Sequence, residues 1–351
     1  MKTQPSVPRV AVPPGVGSIR AKVPLRVSFS GGGTDVMPFP RDRGGCVLSA
    51  TIDLYAFASL RPRSDREYRV SSFDGDSARY ASREDLVFDG HLDLVKAVLR
   101  HMAPQTGLDL HLLCDAPPGS GLGSSSGLVV AMLAAVAELT HTPMTPYELA
   151  RRAYEVERVE LRQAGGLQDQ YACTFGGFNF IEFWDEDRVV VNPLRIPADV
   201  TNELHGSLVL CYTGITRKSG GILRRQVEGY VSRRPESVEA LERIKELTLE
   251  LKEALLTGDL ERFAEVLDAS WHAKRRLTQG ITNERIDQLY AEARRAGALA
   301  GKLLGAGGGG YLLLFCPFDL RQSVGEAMER AGGRVVNFHF EERGVQTWRV
   351  A

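Results

Sequence analysis

Alternation of apolar and polar residues predicts the strands in the first part of the chain. Apolar and polar side chains alternate through 23–30, the pattern of a half-buried strand, and this segment leads into a glycine-rich loop at 31–35. Two further apolar segments, 46–61 and 68–73, flank the polar residues 63–66. That spacing predicts a β-hairpin.

Longer apolar patterns predict helices. A strand at 108–112 precedes the apolar run 128–139, which is too long and too rich in helix formers to be a strand. Thr145 to Glu148 has the capping-box pattern with proline at the first helical position, so a helix should run from there to about Leu161. Other helices are predicted at 93–102, 219–232, 237–256, 260–274, 283–296 and 320–331. Other strands are predicted at 178–183, 188–193, 208–212, 302–304, 311–315 and within 334–350.

The order of these elements divides the chain into two halves. Residues 1–18 are rich in proline and lack periodicity, which predicts a flexible extension. The stretch 197–204 has no regular pattern and predicts a boundary between one domain at 19–204 and another at 205–351. Helices and strands are mixed in both domains, which favours the α+β class over a regular βαβ series.

Composition and charge narrow the classes of function. The 351 residues are 43% hydrophobic and 25% charged, as in an ordinary globular protein with a sizeable core. The net charge of -1 and the pI of about 6.7 argue against nucleic acid or an anionic membrane as a partner. No segment approaches the ~20 apolar residues of a membrane span, and the start lacks the apolar core of a signal peptide, so a cytoplasmic location is predicted. The five cysteines form no Cys-x-x-Cys pair, which favours reduced core thiols over disulfides or structural zinc.

The segment 117–127 carries the strongest chemical signal. Its sequence, Pro-Pro-Gly-Ser-Gly-Leu-Gly-Ser-Ser-Ser-Gly, lies between a predicted strand and an apolar helix. Glycines let the backbone approach an anion, serines satisfy free amides at the helix start, and the helix dipole favours negative charge there. A flexible linker is the alternative, but linkers do not normally connect a strand to a buried helix. The spacing fits neither a Walker A motif nor a Rossmann fingerprint, so the segment predicts a phosphate-binding loop of another kind.

Two further glycine-rich segments could contribute to the same site. Segment 24–35 places glycines between Arg26 and Asp35, a pattern that suits a polyhydroxylated ligand but also a plain turn. Segment 305–310 contains four consecutive glycines, more than a tight strand connection needs. Close packing against another glycine loop or a phosphate would explain them.

An acidic segment lies between the second and third glycine loops. Asp169, flanked by glutamines, follows the glycine pair 165–166. Glu157 and Glu160 precede it on the predicted helix, three residues apart and therefore neighbours on its surface. Each glutamate alone is more often a solvated surface charge, but beside a phosphate-binding loop one of them becomes a candidate magnesium ligand.

Together these motifs resemble the GHMP kinases, the superfamily of galactokinase, homoserine kinase, mevalonate kinase and phosphomevalonate kinase. Segments 24–35, 117–126 and 305–310 resemble its first, second and third motifs, in the expected order. The resemblance covers nearly the whole chain from Val23. It implies a two-domain α+β fold, with an N-terminal ribosomal-protein-S5-like domain and a C-terminal ferredoxin-like domain. It also implies ATP and Mg²⁺ as cofactors, a small-molecule sugar or sugar phosphate as the partner, and it leaves self-association open.

The resemblance also implies roles for individual residues. Mg²⁺ would be held by Ser125 and Glu157, with Glu160 as the substitute ligand. Asp169 would face the acceptor hydroxyl as base, while Arg26 would orient it and stabilise charge on the transferring phosphoryl group. The implied ATP-phosphate-binding residues are Pro118, Gly119, Ser120, Gly121, Leu122, Gly123, Ser124, Ser125 and Ser126. The implied substrate-binding residues are Gly32, Gly33, Thr34, Asp35, Gln168, Arg217, Lys218, Gly307 and Gly308.

Within the family, Arg26 and the segments 33–35 and 166–170 resemble the sugar-1-kinases, which favours an anomeric hydroxyl as acceptor. One subfamily shares still more, the D-glycero-alpha-D-manno-heptose 7-phosphate kinases. The segments that resemble this subfamily are 29–35, 165–171, 212–219 and Trp271-x-x-Lys274. The implied product is the 1,7-bisphosphate, used for nucleotide-activated heptose synthesis.

Several alternatives remain open. A kinase for an unphosphorylated sugar of the L-fucose type would keep Arg26 and Asp169 but need no basic pocket. A sugar phosphate needs cations, for which Arg217 and Lys218 are candidates, although a solvated helix start explains them equally well. A non-catalytic sensor of sugars or nucleotides would be expected to lose Asp169 or the glycine loops, and neither is lost. An isoprenoid or amino-acid kinase would need a more apolar or carboxylate-binding acceptor site.

Overall fold

The computed structural model describes residues 17–104, 106–216 and 220–350, which form two helix-covered β-sheets. The strands are β1 (Ser18–Ser30), β2 (Gly45–Pro62), β3 (Tyr68–Ser71), β4 (Ser77–Tyr80), β5 (Leu108–Cys114), β6 (Phe178–Phe183), β7 (Val189–Pro193), β8 (Leu208–Tyr212), β9 (Ala300–Leu303), β10 (Tyr311–Phe315), β11 (Arg334–Val336) and β12 (Gln346–Val350). The helices are α1 (Phe39–Arg43), α2 (Asp93–Met102), α3 (Ser124–Leu139), α4 (Pro146–Tyr154), α5 (Gln168–Phe175), α6 (Ala198–Gly206), α7 (Gly220–Val231), α8 (Pro235–Thr257), α9 (Leu260–Leu277), α10 (Glu284–Arg295) and α11 (Arg321–Arg330). Helices and strands alternate irregularly in both halves, as the α+β prediction requires.

The larger sheet has eight strands and is covered by the apolar helix α3. Its order is β12-β1-β2-β5-β3-β4, while β6 pairs with β2 and β7 pairs with β6. Strand β2 is long enough to pair with β6 through its first part and with β5 through its second. Every residue of α3 except Ser125 and Glu138 is buried, which confirms the predicted core helix. The helix begins at Ser124, inside the predicted phosphate-binding loop.

The predicted hairpin between 46–61 and 68–73 is wrong. Strand β5 lies between β2 and β3, antiparallel to the first and parallel to the second. The polar turn is held against this inserted strand, because the Arg63 guanidinium binds Asp65 in the turn and Asp109 on β5. Spacing along the chain could not reveal a strand that enters from a distant segment.

The second sheet has four antiparallel strands in the order β11-β8-β10-β9. Helix α6 occupies most of the stretch 197–204 that was predicted to be irregular. That prediction is wrong, since Pro197 is the N-cap of the helix and the Leu204 side chain is buried. The last strand, β12, pairs with β1 in the larger sheet, although its residues follow the second sheet in sequence. Of the predicted extension 1–18, residues 1–16 lie outside the described residues, and Ser18 begins β1.

Helix α4 begins with the predicted capping box. Thr145 Oγ1 accepts a hydrogen bond from the Glu148 backbone N–H at 3.2 Å, and the Glu148 carboxylate accepts one from the Thr145 backbone N–H at 2.7 Å. The helix does not continue unchanged to Leu161, because a π-helical turn, Glu155–Glu160, follows it. Such turns are frequent at functional sites.

The structure also bears on the predictions about membrane spans and cysteines. None of the helices within the described ranges is long and apolar enough to cross a bilayer. All five cysteines are free thiols, and four of them are buried.

Candidate active site

A cleft lined by both halves of the chain brings the predicted motifs together. It contains about 950 Å³ of empty space, part of which is open to solvent. The first half contributes residues of β1, the phosphate-binding loop, the π-helical turn and the start of α5. The second half contributes residues of α7, α9 and the loop 304–309. Small-molecule sites in proteins are typically clefts of this kind.

The phosphate-binding loop presents alternate residues to the cleft. Gly119, Gly121 and Gly123 line it, followed by the serines 124–126 at the start of α3. The first-turn amides of a helix have no intrahelical acceptor, so this end of α3 can bind an anion. Three loop residues predicted to bind phosphate, Pro118, Ser120 and Leu122, do not line the cleft.

The third glycine loop packs directly on the second. A Cβ atom on Gly305 would lie 2.6 Å from the Cα of Gly121, and one on Gly310 would lie 2.1 Å from the carbonyl oxygen of Ser120. That carbonyl also accepts a hydrogen bond from the Tyr311 N–H at 3.0 Å. The expected contact between two glycine loops is confirmed, and it explains why side chains are excluded there.

The two third-loop glycines predicted at the substrate site differ in position. Gly307 lines the cleft, whereas Gly308 does not and donates its N–H to the carbonyl of Ile281 at 2.8 Å. Leu304, Gly305, Ala306 and Gly309 form the rest of this wall.

Buried Arg26 and partly exposed Asp169 form an ion pair beside the phosphate-binding loop. The Arg26 side chain is 1% exposed and donates from Nε and Nη2 to the same Asp169 oxygen, Oδ1, at 2.9 and 2.6 Å. Its Nη1 donates to the carbonyl of Gly121. Within the described residues, no protein group donates to Asp169 Oδ2. The second oxygen is therefore available to accept a proton or a hydrogen bond from a ligand.

Asp35 connects the first glycine loop to the start of α5. Its Oδ1 accepts the backbone N–H of Gly33 at 2.9 Å, and its Oδ2 accepts that of Gln168 at 3.1 Å. Burial raises the pKa of this carboxyl, although these two hydrogen bonds act in the opposite direction. Gly32 and Gly33 line the cleft together with Asp35, but Thr34 does not, because its hydroxyl binds backbone carbonyls beneath the loop.

Glu157 faces the phosphate-binding loop from the π-helical turn. Its carboxylate is 1% exposed and accepts hydrogen bonds from Ser126 Oγ at 2.7 Å and from the Gln170 amide. Ser125, the other predicted metal ligand, is half-buried and lines the cleft. Glu160 lies outside the cleft, and its carboxylate binds His101 Nδ1 at 2.5 Å. The geometry thus brings Glu157, and not Glu160, to the site.

Glu157 and Ser125 are too few to hold a metal ion by themselves, but they suit Mg²⁺. Magnesium is usually bound by one or two carboxylates together with substrate phosphates and water. Glu157 supplies one carboxylate and Ser125 one hydroxyl beside the anion-binding end of α3. In the described ranges no three His, Cys, Asp or Glu side chains are grouped as a metal site.

The predicted cations Arg217 and Lys218 lie outside the described residues. Two cations that the sequence analysis did not assign to the site, Arg158 and Lys274, line the cleft. Arg158 makes only long contacts, 3.4 Å to the Gly166 carbonyl and 3.7 Å to Glu157.

Lys274 is 7% exposed and donates to the carbonyl of Gly305. Burial, with a smaller contribution from Arg26, lowers its pKa to about 8, although the nearby carboxylates of Asp35 and Asp169 oppose the shift. The sequence could have indicated this position. Lys274 follows Leu267 and Trp271 at helical spacing, which places the lysine on the buried face of α9.

The known proteins that resemble this chain include three sugar kinases. The D-glycero-alpha-D-manno-heptose 7-phosphate kinase of Campylobacter jejuni is 39% identical over 95% of this chain and 99% of its own length. A crystal structure named as a D-glycero-D-manno-heptose 1-phosphate kinase from Bacteroides thetaiotaomicron superposes with a TM-score of 0.80 at 33% identity, covering 95% of this chain and 99% of that one. The bifunctional fucokinase/GDP-fucose pyrophosphorylase of Arabidopsis thaliana is 26% identical over 88% of this chain, which spans only 31% of that larger protein.

Two family models match the same chain. The GHMP kinases N terminal domain matches residues 93–177, which include the phosphate-binding loop and Asp169. The GHMP kinases C terminal model matches residues 251–334, which include Lys274 and the third glycine loop. With the near full-length relative from Campylobacter jejuni, they show that the chain belongs to the GHMP kinases, a family of ATP-dependent kinases.

Proposed function

We propose that this protein transfers the γ-phosphoryl group of ATP to the anomeric hydroxyl of D-glycero-alpha-D-manno-heptose 7-phosphate, giving the 1,7-bisphosphate. One observation carries the reaction type: Asp169, which Arg26 binds through only one carboxylate oxygen, lines the cleft directly beside the phosphate-binding loop. The relative that shares 39% identity over almost the whole chain supports the choice of acceptor.

The mechanism depends on positioning. The first-turn amides of α3 would hold the phosphates of ATP, and Asp169 Oδ2 would accept the proton of the attacking hydroxyl. Arg26 keeps the carboxylate in one orientation and adds positive charge where the phosphoryl group passes. Because a carboxylate is a weak base for a sugar hydroxyl, alignment and electrostatic stabilisation supply much of the rate.

Ser125 and Glu157 would hold Mg²⁺ at the start of α3. When bound, the ion would neutralise charge on the transferring phosphates. The hydrogen bonds from Ser126 and Gln170 fix the Glu157 carboxylate in its orientation before any ligand binds. Preorganisation of this kind reduces the cost of assembling the site.

The phosphate carried by the acceptor requires a cation. Among the described residues, three cations line the cleft, and Arg26 is already paired with Asp169. Arg158 remains able to bind a phosphate, because its present contacts are long. Arg217 and Lys218 precede α7, whose Leu223 lines the same cleft. We therefore assign the acceptor phosphate to Arg158 together with the start of α7.

An acceptor panel tests this function. Purified protein with Mg-ATP is offered the heptose 7-phosphate, the heptose 1-phosphate, the unphosphorylated heptose and L-fucose. ADP release is measured, and phosphorus NMR locates the new phosphate. We expect transfer to C1 of the 7-phosphate. ATP hydrolysis without transfer to any anomeric position would contradict the proposal.

A second candidate is a kinase for an unphosphorylated sugar, favoured by the similarity to a fucokinase. Arg158→Gln and Arg217→Ala distinguish the two. If these cations bind the acceptor phosphate, each variant loses activity on the 7-phosphate but not on the unphosphorylated heptose. An equal loss on both acceptors would favour the second candidate.

A further inference from the structure

Lys274 and Gln168 meet above the backbone of Gly32. A Cβ atom on Gly32 would lie 3.5 Å from Lys274 Nζ and 3.4 Å from Gln168 Nε2. Any side chain at position 32 would therefore fill the space that the amine and the amide share. The three residues come from the first glycine loop, α5 and α9. We call the space between Gly32, Gln168 and Lys274 the acceptor corner; it exists only in the folded chain.

Polar atoms in this corner lack protein partners. Gln168 Oε1 is buried and has no hydrogen-bond partner. Of the three N–H groups of the Lys274 ammonium, one donates to the Gly305 carbonyl, and the other two make no hydrogen bond to a described residue. Buried polar groups are normally satisfied, so the unpaired oxygen of the Gln168 amide, whose nitrogen lies near Lys274, and the spare donors of the ammonium together indicate a ligand that supplies both partners.

A second buried lysine shows what a purely structural role looks like. Lys302 is 2% exposed and donates to the carbonyls of Ser28 at 2.6 Å and Phe29 at 3.0 Å. It does not line the cleft, and burial lowers its pKa, as it does for Lys274. The two lysines share burial and the proximity of Arg26, but only Lys274 interacts with the carboxylates of Asp35 and Asp169 and lines the cleft.

The corner lies on the acceptor side of the cleft. Gln168 is adjacent to Asp169, and its backbone N–H is held by Asp35. Both of these carboxylates are close enough to interact with the Lys274 ammonium. The donor phosphates, in contrast, belong at the first turn of α3.

We propose that Lys274 is a specificity-determining residue that contacts the acceptor sugar. Its ammonium donates to a ring hydroxyl next to the one that is phosphorylated, and Gln168 Oε1 accepts the proton of that same hydroxyl. This inference rests on the proposed function, because it requires a sugar acceptor. The ligand that this corner would bind is therefore a polyhydroxylated ring. Lys274 would recognise the acceptor, whereas the phosphate-binding loop would bind ATP.

Lys274→Met tests the contact, because it keeps the length of the side chain and removes the charge. We expect the acceptor KM to rise roughly tenfold or more, the effect of losing a hydrogen bond to a charged group. The ATP KM should stay within about twofold. Lys302→Met is the matched control: it should lower the melting temperature but leave the ratio of the two KM values unchanged.

A series of monodeoxy acceptors identifies the hydroxyl. The wild-type enzyme should discriminate against the analogue that lacks it, and Lys274→Met should lose most of that discrimination. If Lys274→Met does not fold, Lys274→Arg is measured with the same series, since its longer, planar group should also weaken discrimination at that one hydroxyl.

The outcomes are distinct. A wild-type enzyme that phosphorylates no sugar would overturn the proposed function and this inference together. Transfer by the wild type with an unchanged acceptor KM and unchanged discrimination in the Lys274 variants would overturn the inference alone. So would an equal rise in the KM of ATP, or a fall in kcat with no change in the acceptor KM.

Discussion

At the residue scale, the site depends on a few buried charges that are paired across the chain. A buried arginine is costly unless it is paired, and Asp169 supplies the charge that Arg26 requires. Because both hydrogen bonds of the pair use Oδ1, pairing leaves Oδ2 free and orients it. Thus the interaction that stabilises Arg26 also prepares the carboxylate for a ligand.

Asp169→Asn is expected to lower kcat by roughly 10²-fold or more while ATP affinity stays similar. The amide oxygen can still accept from Arg26, so the pair geometry is largely kept while the negative charge and proton acceptor are lost. Steady-state kinetics and calorimetry with a non-hydrolysable ATP analogue measure the two quantities. A kcat near that of the wild type would contradict the role of Asp169.

The pKa of Lys274 predicts a pH dependence of acceptor binding. Burial lowers this pKa to about 8; Asp35 and Asp169 counteract the shift, whereas the nearby cations Arg26 and Lys302 favour loss of the proton. As the pH rises through 8, the ammonium becomes a neutral amine and its hydrogen bond to the sugar weakens. The acceptor KM of the wild type should therefore rise several-fold between about pH 7 and 9.

Lys274→Arg is the control for this pH dependence, because a guanidinium stays charged throughout that range. Its acceptor KM should be flat where that of the wild type rises. Parallel profiles for the two proteins would assign the titration to another group. The comparison uses initial rates at saturating Mg-ATP.

At the element scale, the contact between two glycine loops connects the halves of the chain. The carbonyl of Ser120 in the second loop accepts from Tyr311, at the start of β10. Gly121 and Gly305 approach so closely that neither position has room for a side chain. The phosphate-binding loop is thus shaped partly by residues that lie far away in sequence.

Gly305→Ala is expected to weaken ATP binding, because its Cβ would lie 2.6 Å from Gly121 and displace the loop. Gly75→Ala is the matched control: both glycines have positive φ, +71° and +90°, but nothing lies within 4 Å of a Cβ at position 75. Both variants should lose roughly 1 kcal/mol or more of stability from backbone strain. Only Gly305→Ala should raise the ATP KM, and an equal rise in both would refute the packing explanation.

At the scale of the whole molecule, the last strand pairs with the first strand. Strand β12 pairs with the first residues of β1, from Ser18↔Val350 to Lys22↔Gln346. It covers what would otherwise be an exposed edge of the larger sheet. Unpaired edge strands promote association between molecules.

Deletion of residues 346–351 should lower the melting temperature by at least a few degrees and promote self-association. The ATP KM at 25 °C should change little, since β12 pairs with residues 18–22 and not with the part of β1 that carries Arg26. Trp348→Ala serves as control, because it keeps the backbone pairing and removes a side chain that is 39% exposed. Calorimetry and size-exclusion chromatography give the two readouts. An unchanged melting temperature in the truncated protein would show that β12 contributes little.

The sequence by itself determined most of the helices and strands and the positions of the glycine loops. The strand at 23–30, the buried helix after the phosphate-binding loop and the capping box at Thr145 all follow from patterns within a few residues. The order of three motifs was enough to indicate the family, and the relative that is 39% identical over 95% of the chain shows it together with the matching domains. Such features depend on local backbone preference and periodic burial, which neighbouring residues encode.

Only the tertiary structure decided which distant segments of the chain are in contact. It inserted β5 between two strands predicted to pair, returned β12 to β1, hydrogen-bonded Ser126 to Glu157, and placed Lys274 over Gly32. Each of these contacts joins residues far apart in the chain, and each is selected by the packing of the whole core and by the need to satisfy buried polar groups. Local pattern specifies which groups a chain carries, but the acceptor corner exists because long-range packing brings three separate segments to one point.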